Sequence, residues 1–104
     1  MENLMDDNFE EFVNKAAKPV LLDVYTSWCP PCKMLSPAIE KVAEDYADKI
    51  IVAKMDLDAC PKTGDRFGVD RIPTVMLFRG GEVLGTFIGF KPEEDIKAWV
   101  DSLI

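Results

Sequence analysis

The spacing of apolar and polar residues changes repeatedly along the chain. Four apolar residues recur at helical spacing behind an acidic stretch that offers a capping box: Phe9, Phe12, Val13 and Ala16. They predict a first helix that ends near Pro19. The apolar run at 20–25 predicts a strand buried on both faces, and residues 50–55 predict a second buried strand. A long helix between them is marked by the apolar positions Leu35, Ile39, Val42, Ala43 and Tyr46. Strand, helix and strand in this order form a βαβ unit with parallel strands.

The second half of the chain has a different pattern. Residues 60–67 predict a short helix, and residues 74–78 and 82–88 predict two strands. Gly80-Gly81 fits a two-residue hairpin turn between those strands, and a last amphipathic helix begins at Pro92. The prediction is therefore an α/β fold in which a mixed sheet carries helices on both faces. Residues 2–5 are short for an opening strand, so that element is the weakest part of the prediction.

Length and charge narrow the class of protein. The chain has 104 residues, 48% of them hydrophobic, which is enough for a single domain over residues 1–104. No apolar run approaches the length of a membrane span, and a net charge of -7 disfavours binding to nucleic acid. The N-terminus lacks the basic and apolar regions of a signal peptide. We therefore expect a cytoplasmic monomer that binds neither membrane nor nucleic acid.

Two cysteines, Cys29 and Cys32, are separated only by Pro30 and Pro31. They follow the predicted strand at 20–25 and begin the long helix, a place where α/β sheets commonly put their active sites. Unpaired amides at the helix start favour a thiolate at Cys29, and the prolines hold the two sulfurs close together. Disulfide exchange needs one attacking and one resolving thiol, and this spacing suits both.

Other interpretations of the cysteines remain open. A zinc site needs four ligands, but the chain has no histidine and only Cys60 besides the pair, so we expect no metal. A purely structural disulfide is unusual in a reducing cytosol. Cys60 itself is either a small half-buried filler at a helix start or a regulatory thiol that forms a disulfide.

Asp23 interrupts an otherwise apolar strand. A carboxyl group is expensive to bury unless it is paired or used in chemistry, which makes Asp23 a candidate functional residue. The alternative is that Asp23 lies at a solvated edge of the sheet.

Several motifs in a fixed order resemble the thioredoxin family. They are VLLDVY at 20–25, WCPPCK at 28–33, Pro37, AKMDLD at 53–58, FGVDRIPT at 67–74, FRGGE at 78–82 and Gly89. This resemblance covers nearly the whole chain from Asp7 onward. It implies a three-layer sandwich, with a central mixed sheet flanked by four helices, and a general protein-disulfide reductase that works through a mixed disulfide. It also implies that a thioredoxin reductase reduces the oxidised protein and that disulfide-containing proteins are its substrates. No bound cofactor is implied beyond the redox-active Cys29–Cys32 disulfide.

The resemblance also assigns roles to individual residues. Cys29 matches the attacking thiolate, Cys32 the buried resolving thiol, and Asp23 the aspartate that assists proton transfer. Lys54 matches a lysine that modulates this aspartate, although a lysine on a strand can also simply extend to the surface. Pro37 should kink the long helix.

The family's substrate groove surrounds a cis-proline, which Pro73 matches. A substrate strand would lie there against the backbone of Ile72. The substrate-binding residues that the resemblance implies are Trp28, Pro30, Pro31, Ile72, Pro73, Gly89 and Phe90.

The chain departs from the family pattern at two positions. Pro30 stands where glycine is usual, and Arg71 stands before Ile72 where a small residue is common. Arg71 could therefore change the choice of partner, and Pro30 the redox balance. Two rival functions remain: the Pro30-Pro31 dipeptide leaves open a more oxidising oxidoreductase or isomerase, and the fold itself leaves open a non-catalytic interaction module that serves as a docking platform.

Overall fold

Five strands form one mixed sheet in the computed structural model, which describes residues 1–104. The strands are β1 Glu2–Leu4, β2 Val20–Tyr25, β3 Ile51–Asp56, β4 Thr74–Arg79 and β5 Glu82–Ile88. Four α-helices accompany them: α1 Phe9–Lys15, α2 Pro30–Asp45, α3 Pro61–Arg66 and α4 Glu93–Leu103. The predicted α/β fold with a mixed sheet and four helices is confirmed.

The sheet has the order β1-β3-β2-β4-β5, which places β2 at its centre. β1 and β2 both pair with β3 in parallel, as a βαβ unit requires, whereas β4 runs antiparallel to both β2 and β5. Asp23 on β2 lies beside Lys54 of β3 and Val75 of β4. Asp23 is therefore in the middle of the sheet, and the alternative of a solvated edge is wrong.

Two apolar clusters cover the two faces of the sheet. The first contains Leu22 and Val24 of β2 and is packed by α1 through Phe9 and Val13. The second contains Leu21 of β2 and residues of α2 and α4, among them Leu35, Ile39, Val42, Ile96 and Val100. Side chains alternate along a strand, so Asp23 points to the same face as Leu21, toward α2.

The helices and strands of the structure differ from the predicted ones in three places. β1 exists as three residues paired with β3, α1 already ends at Lys15, and a 3₁₀ turn at Leu57–Ala59 was not predicted. The capping box of α1 does not form, because the side chain of Asn8 accepts a hydrogen bond from the Met5 amide at 2.8 Å instead. Asn8 thus closes the turn before α1.

The hairpin turn follows the prediction. Gly80 and Gly81 have φ angles of 57° and 86°, a region that other residues rarely adopt. This backbone matches the twist of the two flanking strands.

Candidate active site

Cys29 and Cys32 form a disulfide at the N-terminus of α2. Cys29 is the capping residue with an extended backbone, Pro30 is the first helical residue, and the two cysteine Cα atoms are 5.3 Å apart. The amide of Cys32 donates a hydrogen bond to Sγ of Cys29 at 3.2 Å. An amide of the first helical turn therefore points at the sulfur, as the sequence predicts.

The two cysteines have similar exposure in this oxidised state. Cys29 is 3% exposed and Cys32 is 5% exposed, so burial does not distinguish the two cysteines in the disulfide. Their neighbours Trp28, Pro30 and Pro31 are exposed and surround the disulfide with apolar surface.

A cavity of about 170 Å³ lies behind the disulfide, between α2 and the carboxyl ends of β2 and β3. Its wall includes Asp23, Thr26, Cys32, Ser36 and Lys54. Cys29 does not line it. The two cysteines therefore face different surroundings, and only Cys32 shares a cavity with the buried carboxyl group.

Asp23 is the buried acid of this cavity. Its side chain is 1% exposed, and its Oδ1 atom has no hydrogen-bond partner. Burial raises the pKa of Asp23 to about 6, and the positive charge of Lys54 opposes this shift. An acid with such a pKa can exchange protons near neutral pH.

Lys54 acts on Asp23 through charge at a distance. No ion pair within 4.0 Å joins the two side chains, and the ammonium of Lys54 instead lies 4.9 Å from the ring centroid of Tyr25. Lys54 is half-buried in the cavity wall.

The Ile72–Pro73 peptide bond is cis, as the resemblance implies. The carbonyl of Pro73 accepts a hydrogen bond from the amide of Gly89 at 2.9 Å, which links β4 to the end of β5. Gly89 has a φ of 89°, and Phe90 next to it is 47% exposed. Ile72 is half-buried and Pro73 is buried.

Comparison with known proteins agrees with this geometry. The family model described as Thioredoxin matches residues 1–102. The chain belongs to the thioredoxin family. It is 44% identical over 100 residues to a thioredoxin of Allochromatium vinosum, covering 96% of this chain and 94% of that protein. It is 40% identical over 102 residues to a thioredoxin of Rickettsia bellii (strain RML369-C), covering 98% and 97%.

Members of the thioredoxin family are protein-disulfide oxidoreductases, and this chain carries their cysteine pair. It is a thiol-disulfide oxidoreductase. Thioredoxin-family membership also implies exchange with thioredoxin reductase and with disulfide-containing proteins in general.

Trp28 has a partner that the sequence did not reveal. The indole Nε1 donates a hydrogen bond to Oδ2 of Asp58 at 2.8 Å. Asp58 lies in the 3₁₀ turn after β3, and the family motif at 53–58 contains it. This bond fixes an otherwise exposed ring beside Cys29, and the resemblance at that motif was the signal that could have found it.

Cys60 is the remaining thiol. It is 0% exposed, and its Sγ donates to the carbonyl of Leu4 at 3.6 Å. Burial raises the pKa of this thiol, and the negative charge of Asp6 adds to the effect. Cys60 is therefore a fully buried core residue rather than the half-buried filler expected, because β1 covers it.

Two further features hold for the whole chain. No group of three or more potential ligands among histidine, cysteine, aspartate and glutamate is placed to hold a metal ion. None of the helices combines the length and apolar character that crossing a membrane requires.

Proposed function

We propose that this oxidoreductase works mainly as a reductant of protein disulfides, with Cys29 as the attacking and Cys32 as the resolving cysteine. One observation carries the assignment: Cys29 caps α2, whereas Cys32 shares a cavity with the buried Asp23. The first position favours a thiolate and the second favours removal of a proton.

In the first step, the Cys29 thiolate attacks one sulfur of the substrate disulfide. A bond forms between Cys29 and that sulfur, the substrate's S–S bond breaks, and the other substrate sulfur leaves as a thiolate. The amide that donates to Cys29 Sγ at 3.2 Å stabilises the negative charge on the attacking sulfur.

In the second step, the mixed disulfide is resolved. Cys32 gives its proton to the Asp23 carboxylate across the cavity, and its sulfur then attacks Cys29. The Cys29–Cys32 disulfide forms and the second substrate sulfur leaves, so two electrons have passed to the substrate. Because the pKa of Asp23 is raised to about 6, the carboxylate is mostly ionised at neutral pH yet basic enough to accept the proton.

The substrate would bind across the exposed apolar surface around the disulfide. Trp28 and Phe90 are exposed on this surface, and Ile72 offers backbone groups beside the cis-proline. These contacts are of the kind that hold an extended peptide segment. A thioredoxin reductase would restore the dithiol, and we place the protein in the cytoplasm, where such a reductant is needed. No bound cofactor is required, since the cysteine pair carries the electrons.

The rival is a more oxidising oxidoreductase or isomerase, because Pro30 departs from the family's usual glycine. The equilibrium potential of the Cys29–Cys32 couple, measured in thiol buffers with Cys60→Ser, separates the two. A reductant should lie below the cytosolic glutathione poise of about -220 to -260 mV by biochemical extraction. A potential well above that range would overturn the assignment as a reductant.

A further inference from the structure

Two buried oxygen atoms near Cys32 have no hydrogen-bond partner. They are Oδ1 of Asp23 and Oγ1 of Thr26, and the chain contains no other buried side-chain nitrogen or oxygen atom of this kind. Both residues line the cavity that contains Cys32. Unpaired buried polar atoms are rare in folded proteins, so two of them in one small cavity call for an explanation.

Thr26 is the residue directly after β2 and is 2% exposed. Valine has almost the same shape and would fill this position without burying a hydroxyl group. A threonine hydroxyl can donate one hydrogen bond and accept two, but no protein group meets it. Packing alone therefore does not account for the hydroxyl.

Asp23 and Thr26 do not bond each other, so a third group is needed to connect them. A cavity of about 170 Å³ has room for water, and water needs polar partners to stay in place. Asp23 is the only carboxylate in the wall of the cavity, and the other charged side chains there, Lys33 and Lys54, are cations. Asp23 is consequently the one anionic group in the wall that can take up the proton of Cys32.

We propose that Thr26 is a positioning residue for the resolving step, and that its hydroxyl holds the water that carries the proton of Cys32 to Asp23. This inference rests on the proposed role of Asp23. In one concerted step, the Cys32 thiol gives its proton to the water oxygen while the water gives another of its protons to the Asp23 carboxylate, and the Thr26 hydroxyl stays hydrogen-bonded to the water and keeps its own proton. The Cys32 sulfur then closes the disulfide with Cys29 and the substrate thiolate leaves.

The test uses the reduced full chain with Cys60→Ser and a chromogenic disulfide, 5,5′-dithiobis(2-nitrobenzoate). Attack by Cys29 releases the first coloured thiolate, and resolution by Cys32 releases the second. Stopped-flow traces from pH 5 to pH 8 therefore give both rates. We expect Thr26→Val to slow the second release about tenfold above pH 6 and to leave the first within about twofold.

Thr26→Ser is the matched control, because it keeps the hydroxyl and removes only a methyl group. It should restore the second release to within about twofold of the parent chain. If Thr26→Ser is as slow as Thr26→Val, the effect comes from packing and the inference is overturned. If Thr26→Val resolves as fast as the parent chain, the inference is overturned as well.

Asp23→Asn separates a failure of this inference from a failure of the proposed function. Thr26→Val should add no further slowing in the Asp23→Asn background, because both changes interrupt the same proton path. Independent, multiplying effects would contradict the shared path. A normal second release in Asp23→Asn alone would refute the proposed role of Asp23, whereas slow release there with normal release in Thr26→Val refutes only the inference about Thr26.

Discussion

Two helices of this protein begin with the same dipeptide and behave differently. Cys29 precedes Pro30 at the start of α2, and Cys60 precedes Pro61 at the start of α3. At α2, the Cys32 amide donates to the cysteine sulfur. At α3, the side chain of Asp6 takes the corresponding donors instead.

The donors at the start of α3 are already used. The Lys62 and Thr63 amides and the Thr63 hydroxyl all donate to the Asp6 carboxylate, at 3.2, 2.8 and 2.7 Å. Cys60 is left to donate to the carbonyl of Leu4, and its pKa is raised, mainly by burial. A cysteine and a proline at a helix start are therefore insufficient for reactivity; the amides must also be free to stabilise the sulfur.

Each helix start has a carboxylate near it, Asp6 at α3 and Asp23 at α2, and these two carboxylates differ in the same way. Asp6 accepts three hydrogen bonds, and the bond from the Thr63 side chain is the main reason why its pKa is lowered. Burial raises the pKa of Asp23, whose Oδ1 accepts none, to about 6. The Asp6 carboxylate is occupied by hydrogen bonds that hold the start of α3, whereas the Asp23 carboxylate is available for proton transfer.

The largest expected difference between the two helix starts is in turnover. Cys29→Ser should abolish disulfide reduction, because Cys32 alone has no second thiol at the site with which to release a mixed disulfide. Cys60→Ser should keep activity within about twofold, since Cys60 touches no part of the active site. Reduction of a protein disulfide, with dithiothreitol as the electron source, measures both. Loss of turnover in a folded Cys60→Ser variant would contradict the conclusion that only the cysteine at the start of α2 serves the reaction.

The second prediction concerns the stability cost of Asp23. An aspartate in water has a pKa of 3.8, whereas burial in the folded chain raises the pKa of Asp23 to about 6, so the folded state holds the proton more tightly. The resulting stabilisation is fully present below about pH 4 and is lost as the pH rises to about 6. At about 1.4 kcal/mol per pH unit, this loss amounts to about 3 kcal/mol.

Asp23→Asn removes that titration. The free energy of unfolding at pH 7, from urea titrations, should therefore rise by about 2–3 kcal/mol. The dependence of stability on pH between 4 and 6 should become weaker than in the parent chain. A variant that keeps the parent's pH dependence would show that Asp23 does not titrate in this range.

The smallest expected effect is at Asp6. Asp6→Ala removes the acceptor for the first amides of α3, so the melting temperature should fall by about 5 °C. Disulfide reduction below the melting transition should stay unchanged. Differential scanning calorimetry with the same activity assay checks both, and a variant that loses turnover while folded would show that the α3 start serves the chemistry.

The local spacing of apolar and polar residues was sufficient to predict the strands of the sheet, the helices and the position of Cys29 and Cys32. Periodicity and helix-start signals act over only a few residues. The contacts that distinguish the two helix starts are long-range. Asp6 meets Thr63 across 57 positions of sequence, and Trp28 meets Asp58 across 30. No short stretch of sequence contains both partners of either contact. The hydrogen bonds that Asp6 makes with the start of α3 were therefore not predictable.

The interior of the site was only partly predictable for a similar reason. The sequence alone indicated that burial of the Asp23 carboxyl group in an apolar strand costs free energy, and this made Asp23 a candidate functional residue. The unpaired hydroxyl of Thr26 was not indicated in this way, because threonine after a strand is ordinary until the structure shows that nothing meets it. Whether a buried polar group is satisfied depends on the packing of α2 over β2, which no local pattern contains.

Alkylation of the reduced, native chain at pH 7 tests the central claim most directly. Cys29 is 3% and Cys60 0% exposed in the disulfide form, so burial alone barely distinguishes them. The account predicts that iodoacetamide, followed by peptide mass analysis, modifies Cys29 first and reaches Cys60 only after denaturant is added. Modification of native Cys60 as fast as Cys29 would contradict the account.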